Sequence, residues 1–340
     1  MNLQPYILFA LSVALMLLLM PKLLPVLKKM KFGQTIYDLG PQAHKKKQGT
    51  PNMGGILIGG ITVVVTIIAA VYMSVKGQAE YAFFSLKNPL FALLVCAVGS
   101  MAIGFADDFI KDVKKRHDGL SPIQKIVGQL VVGAVFSLYC YYFVGSDVIL
   151  PFTGKTWDLG IFYVPLMTVL VVFMTNSANL QDGVDGILST VTATGMIAFG
   201  LIATLMGGNM LVAAGCFALC GACVGFLRFN AHPAKIFMGD TGSMFIGGMM
   251  VGVSMLTKTE FLLIPICFTC IMSSVSVMMQ TTYFKITRKI YGQGKRIFKM
   301  SPIHHHFELC GMKEVQVVAM YFAVTLVLSV IAVLSVLKFF

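Results

Sequence analysis

Charged side chains are what this sequence has least of. Asp, Glu, Lys and Arg make up 12% of its 340 residues, while 57% are hydrophobic; a soluble domain carries about 25% charge. That scarcity excludes an ordinary soluble enzyme. The net charge is +12, but apolar content on this scale argues against a soluble nucleic-acid binder, and no nucleic acid is expected as a partner. No long polar stretch exists that would fold by itself, so residues 1–340 read as a single polytopic membrane domain. Three motifs are missing as well: the GxxxxGK[ST] phosphate loop, the GxGxxG fingerprint and HExxH. Their absence argues against ATP hydrolysis, dinucleotide chemistry and zinc proteolysis. Of the eight cysteines only Cys310 lies outside an apolar run, and Cys220-x-x-Cys223 has no second pair beside it. Neither metal nor disulfide is expected there.

Apolar sequence is abundant. Clear runs cover 56–75, 89–106, 126–144, 187–206, 210–227, 261–283 and 315–337, with weaker ones at 6–26, 161–175 and 241–256. A spanning helix needs about 20 such residues, whereas a spanning barrel would show short alternating segments. The expected fold is an all-α integral membrane protein with about ten transmembrane helices. The first run lacks both a preceding basic region and a small-residue cleavage site, so it is expected to be retained as a helix.

Of the 26 lysines and arginines, 21 fall in the odd-numbered loops when Lys22, which with Pro21 breaks the first run, is counted with loop one; the others are Lys76, Lys87, Lys155, Lys258 and Lys338. By the positive-inside rule those loops face the cytoplasm and both termini face outward, so the positive charge meets anionic headgroups on the inner face; the expected location of this multi-pass chain is the inner (plasma) membrane. The six histidines (His44, His117, His232, His304, His305, His306) and the carboxylates Asp107, Asp108, Asp182, Asp185 and Asp240 share those loops. An active site on the cytoplasmic face follows. Ion-coupled transporters carry ionisable residues at mid-depth and often internal repeats. Neither is visible here.

Four clusters carry the chemistry. Asp107-Asp108 ends the third run; neighbouring helical side chains diverge by about 100°, so the two carboxylates are expected to serve different partners. Asn176, Asn179, Asp182 and Asp185 recur every three residues, which suits the hydroxyls and base edge of a nucleoside, although Asp185 also stands where a helix cap would stand before Ile187. Asp240 precedes a Gly- and Ser-rich helix start, where a carboxylate holds Mg²⁺ and the helix end favours phosphate. His304-His305-His306 lacks the i, i+4 spacing of a helical metal site and fits better a loop donating to phosphate; with Arg288, Lys289, Lys295, Arg296 and Lys299 before it, the competing reading is a solvated basic loop.

Taken in order, Lys47-Gln-Gly-Thr-Pro-Asn-Met-Gly-Gly55, Asp107-Asp108, Asn179-Leu-Gln-Asp182-Gly-Val-Asp185-Gly186, Phe237-Met-Gly-Asp240-Thr-Gly-Ser243 and Ser301-Pro-Ile-His-His-His-Phe-Glu308 resemble the polyprenyl-phosphate N-acetylhexosamine-1-phosphate transferases. The last motif resembles their phospho-N-acetylmuramoyl-pentapeptide transferase branch. Asn52 stands where that family usually has threonine. The resemblance implies transfer of phospho-N-acetylmuramoyl-pentapeptide from UDP-MurNAc-pentapeptide to undecaprenyl phosphate, with Mg²⁺ required, UMP released and lipid I made for peptidoglycan; it also implies a homodimer. Carried over by position, Asp240 holds Mg²⁺, and Asp107 and Asp108 handle the lipid phosphate. Lys47, Asn179, Asp182, Asp185, Asn230 and Phe237 form the uridine site. His304 and His305 contact phosphate or sugar, and Lys125 joins the substrate-binding groups. The rivals are a sibling transferring phospho-N-acetylglucosamine, which the histidine motif opposes, and a transporter of lipid or nucleotide-sugar.

Overall fold

A computed structural model describes residues 5–30, 47, 49–77, 85, 87–114, 119–206 and 209–337. Three residues named above, His44, His117 and Lys338, lie outside them. The described residues are mainly helical. Its first long helices are α1 (Pro5–Lys29), α2 (Gly55–Val75), α3 (Pro89–Lys114), α4 (Pro122–Phe143) and α5 (Tyr163–Gln181). They are followed by α6 (Ile187–Leu205), α7 (Met210–Asn230), α8 (Gly239–Leu256), the short α9 (Leu263–Ile266), α10 (Phe268–Tyr291), the short α11 (Ile303–Leu309) and α12 (Glu314–Leu337). Among the described residues one piece departs from an all-α chain: an antiparallel hairpin of β1 (Asp147–Leu150) and β2 (Lys155–Asp158), which pairs Val148 with Trp157.

Among the described residues eight helices are long and apolar enough to cross a membrane, or nine if 260–266 and 268–291 count as one span bent by 84°. The apolar run at 261–283 is therefore not one straight helix; Cys267, at φ −101° and ψ 20°, leaves helical geometry and breaks it. The run at 241–256 is helical as expected, but α8 is not among those eight. Glycines, serines and Asp240 dilute its apolar character. Every residue from 241 to 256 is buried, because α8 occupies the middle of the bundle, mainly against α3 and α5.

Contacts fix which helix ends lie together. The hairpin touches the turn after α8, where the Ile149 N–H donates to the Lys258 carbonyl (2.8 Å), and the end of α12, where the Phe152 N–H donates to the Ser335 carbonyl (3.3 Å). Lys258 Nζ meets Asp147 Oδ1 at 2.6 Å in the same place. Gly221 of α7 faces Phe9 and Gly225 faces Met16, so α1 runs in the same direction as α7. The start of α1 and the end of α12 thus share one end of the bundle with the hairpin. The C-terminal part of α3 and the starts of α8 and α12 lie at the other.

Candidate active site

At that second end the helices come close enough to bring carboxylates from different elements together. A Cβ on Gly104 would lie 2.1 Å from the Asp240 carbonyl oxygen, and one on Gly55 would lie 2.2 Å from the Gly242 backbone. Only hydrogen fits at either position, which is how small residues let membrane helices approach. Gly104 is one turn before Asp107, so this approach sets the first turn of α8 against the acidic pair.

Asp108 accepts from the Thr241 N–H (2.8 Å), the Thr241 hydroxyl (2.7 Å), the Asp240 N–H (3.2 Å) and the Asn52 amide (3.3 Å). A side chain of α3 thereby caps the N-terminus of α8, satisfying donors that a helix start leaves open. Gly239 makes room for this: its φ is +73°, and a Cβ there would lie 2.5 Å from Asp108 Oδ2. Asn52 brings its amide donor to Asp108 from the segment before α2.

Asp107 takes different partners, as the helical geometry requires. Its Oδ1 accepts from the Leu120 N–H at 2.7 Å, and its Oδ2 lies 2.5 Å from Lys111 Nζ and 2.9 Å from Lys125 Nζ. The same lysines reach Asp240 Oδ2, Lys125 at 2.7 Å and Lys111 at 3.3 Å. Asn179 donates to Asp240 Oδ1 at 2.8 Å and to Ser243 Oγ at 3.0 Å. Local sequence explains why Lys125 arrives here. Ser121 and Gln124 form a reciprocal capping box with Pro122 in the first turn of α4, which fixes the first turn of that helix and the lysine after it. One oxygen each from Asp107, Asp108 and Asp240 lie within 4.8 Å of one another.

A second cluster holds Lys47. Its Nζ lies 2.8 Å from Asp185 Oδ1 and 2.6 Å from Glu314 Oε2, while His232 Nδ1 is 3.1 Å from Asp185 and 3.5 Å from Glu314. Asp185 Oδ2 accepts from the Ala234 N–H at 3.0 Å. Asp185 is therefore not the cap of α6, a place taken by Gly186 in left-handed geometry. Asp182 stands between the two clusters. Burial, then the negative charges of Asp240, Asp108 and Asp185, push its carboxyl up to about 8.

The histidines are not on a loop: His304, His305 and His306 form the first turn of α11. His304 and His305 are buried and their rings meet edge to face at 4.3 Å. A Cβ on Gly183 would be 2.3 Å from His304 Nε2, so this pair abuts the Asp182 turn. His305 Nδ1 lies 2.6 Å from Glu308. His306 points elsewhere, accepting from the Lys299 N–H at 3.2 Å.

Two of the residues expected in the uridine site act on the 231–238 segment itself. The Asn230 amide donates to the Ile236 carbonyl at 2.9 Å. Phe237 is held by its backbone, donating to the Pro51 carbonyl and accepting from the Gly54 N–H, both at 2.8 Å. Asn176 lies apart, tying α5 to Gln129 of α4 at 2.8 Å. Lys111, Thr241, His232 and Glu314 were not among the expected site residues. Lys111, at i+4 from Asp107, carried a usable helical signal. Glu314, 267 positions from Lys47, carried none.

This fold and this cluster define a polytopic membrane enzyme whose acids and lysines converge at one end of the bundle. Residues 90–258 match the family described as glycosyl transferase family 4. Similarity extends over nearly the whole chain to proteins named phospho-N-acetylmuramoyl-pentapeptide-transferase. The one from Acetivibrio thermocellus is 40% identical over 100% of this chain and 98% of its own. That from Bacillus subtilis is 41% identical over 97% and 98%, and that from Clostridioides difficile 41% over 93% and 92%. The chain belongs to the phospho-N-acetylmuramoyl-pentapeptide-transferase family.

Proposed function

We propose that the protein transfers phospho-N-acetylmuramoyl-pentapeptide from UDP-MurNAc-pentapeptide to undecaprenyl phosphate, releasing UMP and making lipid I for peptidoglycan. The observation that carries this is the match of 40–41% identity, across almost every residue, to transferases of that name. The reaction exchanges one phosphoanhydride for another, so it needs charge stabilisation and positioning rather than an energy source.

The residues at the α3–α8 junction suit that task. Asp107, Asp108 and Asp240 offer hard oxygen donors from three side chains within 4.8 Å, a set that suits Mg²⁺. When bound there, the ion would neutralise diphosphate charge and polarise its phosphorus centre. Lys111 and Lys125 supply further positive charge at the same oxygens. Asp108, engaged by the first turn of α8, positions Asp240. Asp107, free of that duty, takes the residual proton of the lipid phosphate or orients it. Lys47, Asp185, Asn179, Asp182, Asn230 and Phe237 hold the uridine, with Phe237 stacking on the base, and His304 and His305 meet the sugar or phosphate. Counting α8 and the bent pair, ten segments cross the membrane, both termini are extracytoplasmic, and the site opens on the cytoplasmic face of the inner membrane. A homodimer is the assembly we propose.

The test is UMP release by purified protein given UDP-MurNAc-pentapeptide, undecaprenyl phosphate and Mg²⁺. Turnover that prefers UDP-N-acetylglucosamine, or none without ion-driven transport, would reject the reading.

A further inference from the structure

α1 carries two prolines, Pro21 and Pro25, one helical turn apart inside the helix. Neither has an N–H to give to the carbonyl four residues earlier. Beside them lies an open groove of about 440 Å³, walled by Leu17, Pro21, Leu24, Pro25 and, from α7, Phe229. Two cations complete it, Arg228 and Lys235. Both are exposed, and among the described residues neither has a carboxylate within 4 Å. Lys22, Lys28 and Lys29 are exposed along the same part of α1.

An apolar trough ending in two exposed cations, at the membrane surface on the topology proposed above, matches a molecule with a hydrocarbon chain and an anionic head. We propose that this groove binds an anionic glycerophospholipid of the cytoplasmic leaflet, its acyl chain along Leu17, Pro21 and Leu24 and its phosphate between Arg228 and Lys235. The acceptor substrate has a similar chemistry but a different destination. α1 packs chiefly on α7 and α2, so the groove lies outside the helices that carry Asp107 and Asp240. The groove also has a route to the site's architecture. The Lys235 N–H donates to the Phe229 carbonyl at 2.7 Å, which closes the turn that leads to Ile236 and Phe237. A lipid seated on Phe229 and Lys235 braces the segment bearing Phe237.

The test is native mass spectrometry of the full-length protein, released from detergent with phosphatidylglycerol or phosphatidylcholine of the same acyl chains. Wild type is expected to retain phosphatidylglycerol preferentially. A cation near the membrane surface contributes about 1 kcal/mol to binding anionic lipid, so the preference should fall about fivefold for each of Arg228→Gln and Lys235→Gln. Leu24→Trp, which fills the trough and leaves both cations, should lower it too. An unchanged preference in either the double glutamine variant or Leu24→Trp overturns the assignment. So does displacement by millimolar inorganic phosphate, which would mark a bare anion site, or stronger retention of undecaprenyl phosphate, which would mark a substrate path.

Discussion

Asp108 caps a helix to which it does not belong, and that makes its contribution separable from that of Asp240. On the proposed reading, replacing Asp240 by Asn removes one charge beside the diphosphate; UMP release should then fall by orders of magnitude while the protein stays folded, and half-saturation should need more Mg²⁺. Asp108→Asn keeps one acceptor oxygen but turns the other into an amide N–H₂ donor, facing either the Thr241 donors or those of Asp240 and Asn52. Its effect and that of Thr241→Ala should be coupled by about 1.5–3 kcal/mol in a double-mutant cycle on kcat/KM, the range for a hydrogen bond to a charged group. Simple additivity would remove the inter-helix cap from the mechanism. Asp182 gives a pH signature. Its carboxyl is pushed up to about 8 by burial and the neighbouring carboxylates, so the folded protein holds a proton that the unfolded chain, near pKa 3.9, has lost. Stability in the absence of substrate therefore declines as pH rises from about 4 through about 8. Asp182→Asn should remove that decline. Melting curves at intervals across this window should show the variant gaining on wild type as pH rises; a constant difference would count against the buried proton.

At the scale of elements, glycine decides what meets what. Ala at Gly104 would drive a methyl into the Asp240 backbone, 2.1 Å away, and no side chain stands between that can rotate aside. Gly104→Ala should therefore move α8 off α3, cost about 1–3 kcal/mol of stability as overpacking does, and abolish transfer. Gly183→Ala meets a side chain instead, His304, so its melting temperature should change little while turnover drops. Equal effects of the two on melting temperature would contradict this contrast. The same elements show how far sequence reasoning reaches. That Asp107, Asp240 and Asn179 converge was legible, because each closes or opens an apolar run on the same side. The histidines' short helix was not, since seven residues give too little periodicity to distinguish a turn of helix from a loop. The break at Cys267 had a signal in Pro265, two residues before it, which hydropathy alone passes over. The hairpin at Asp147–Asp158 was hidden: four-residue strands around Trp157 leave almost no alternation to read.

Over the whole molecule, the shared side of the hairpin, the start of α1 and the end of α12 joins the charge asymmetry to a testable topology. His305 is a poor reporter because it is buried. Lys299 and Lys155 are exposed and lie at opposite ends. In intact cells an impermeant thiol reagent should label Lys155→Cys and spare Lys299→Cys, which should react only after the membrane is opened; the reverse pattern would invert the protein. The burial of α8 also bears on how such a chain is made. A segment buried from Thr241 to Leu256 and too poor in apolar residues to rank with the eight spans has little to gain from lipid alone. It emerges after α3, α5 and α7, and its resting place lies among them. Those earlier helices must stay parted in the bilayer until α8 is synthesised, then close on it. Asp108 acquires its helix to cap, and Asp240 its lysines, only at that moment, so a nascent chain halted before α8 holds all of α3 and no active site.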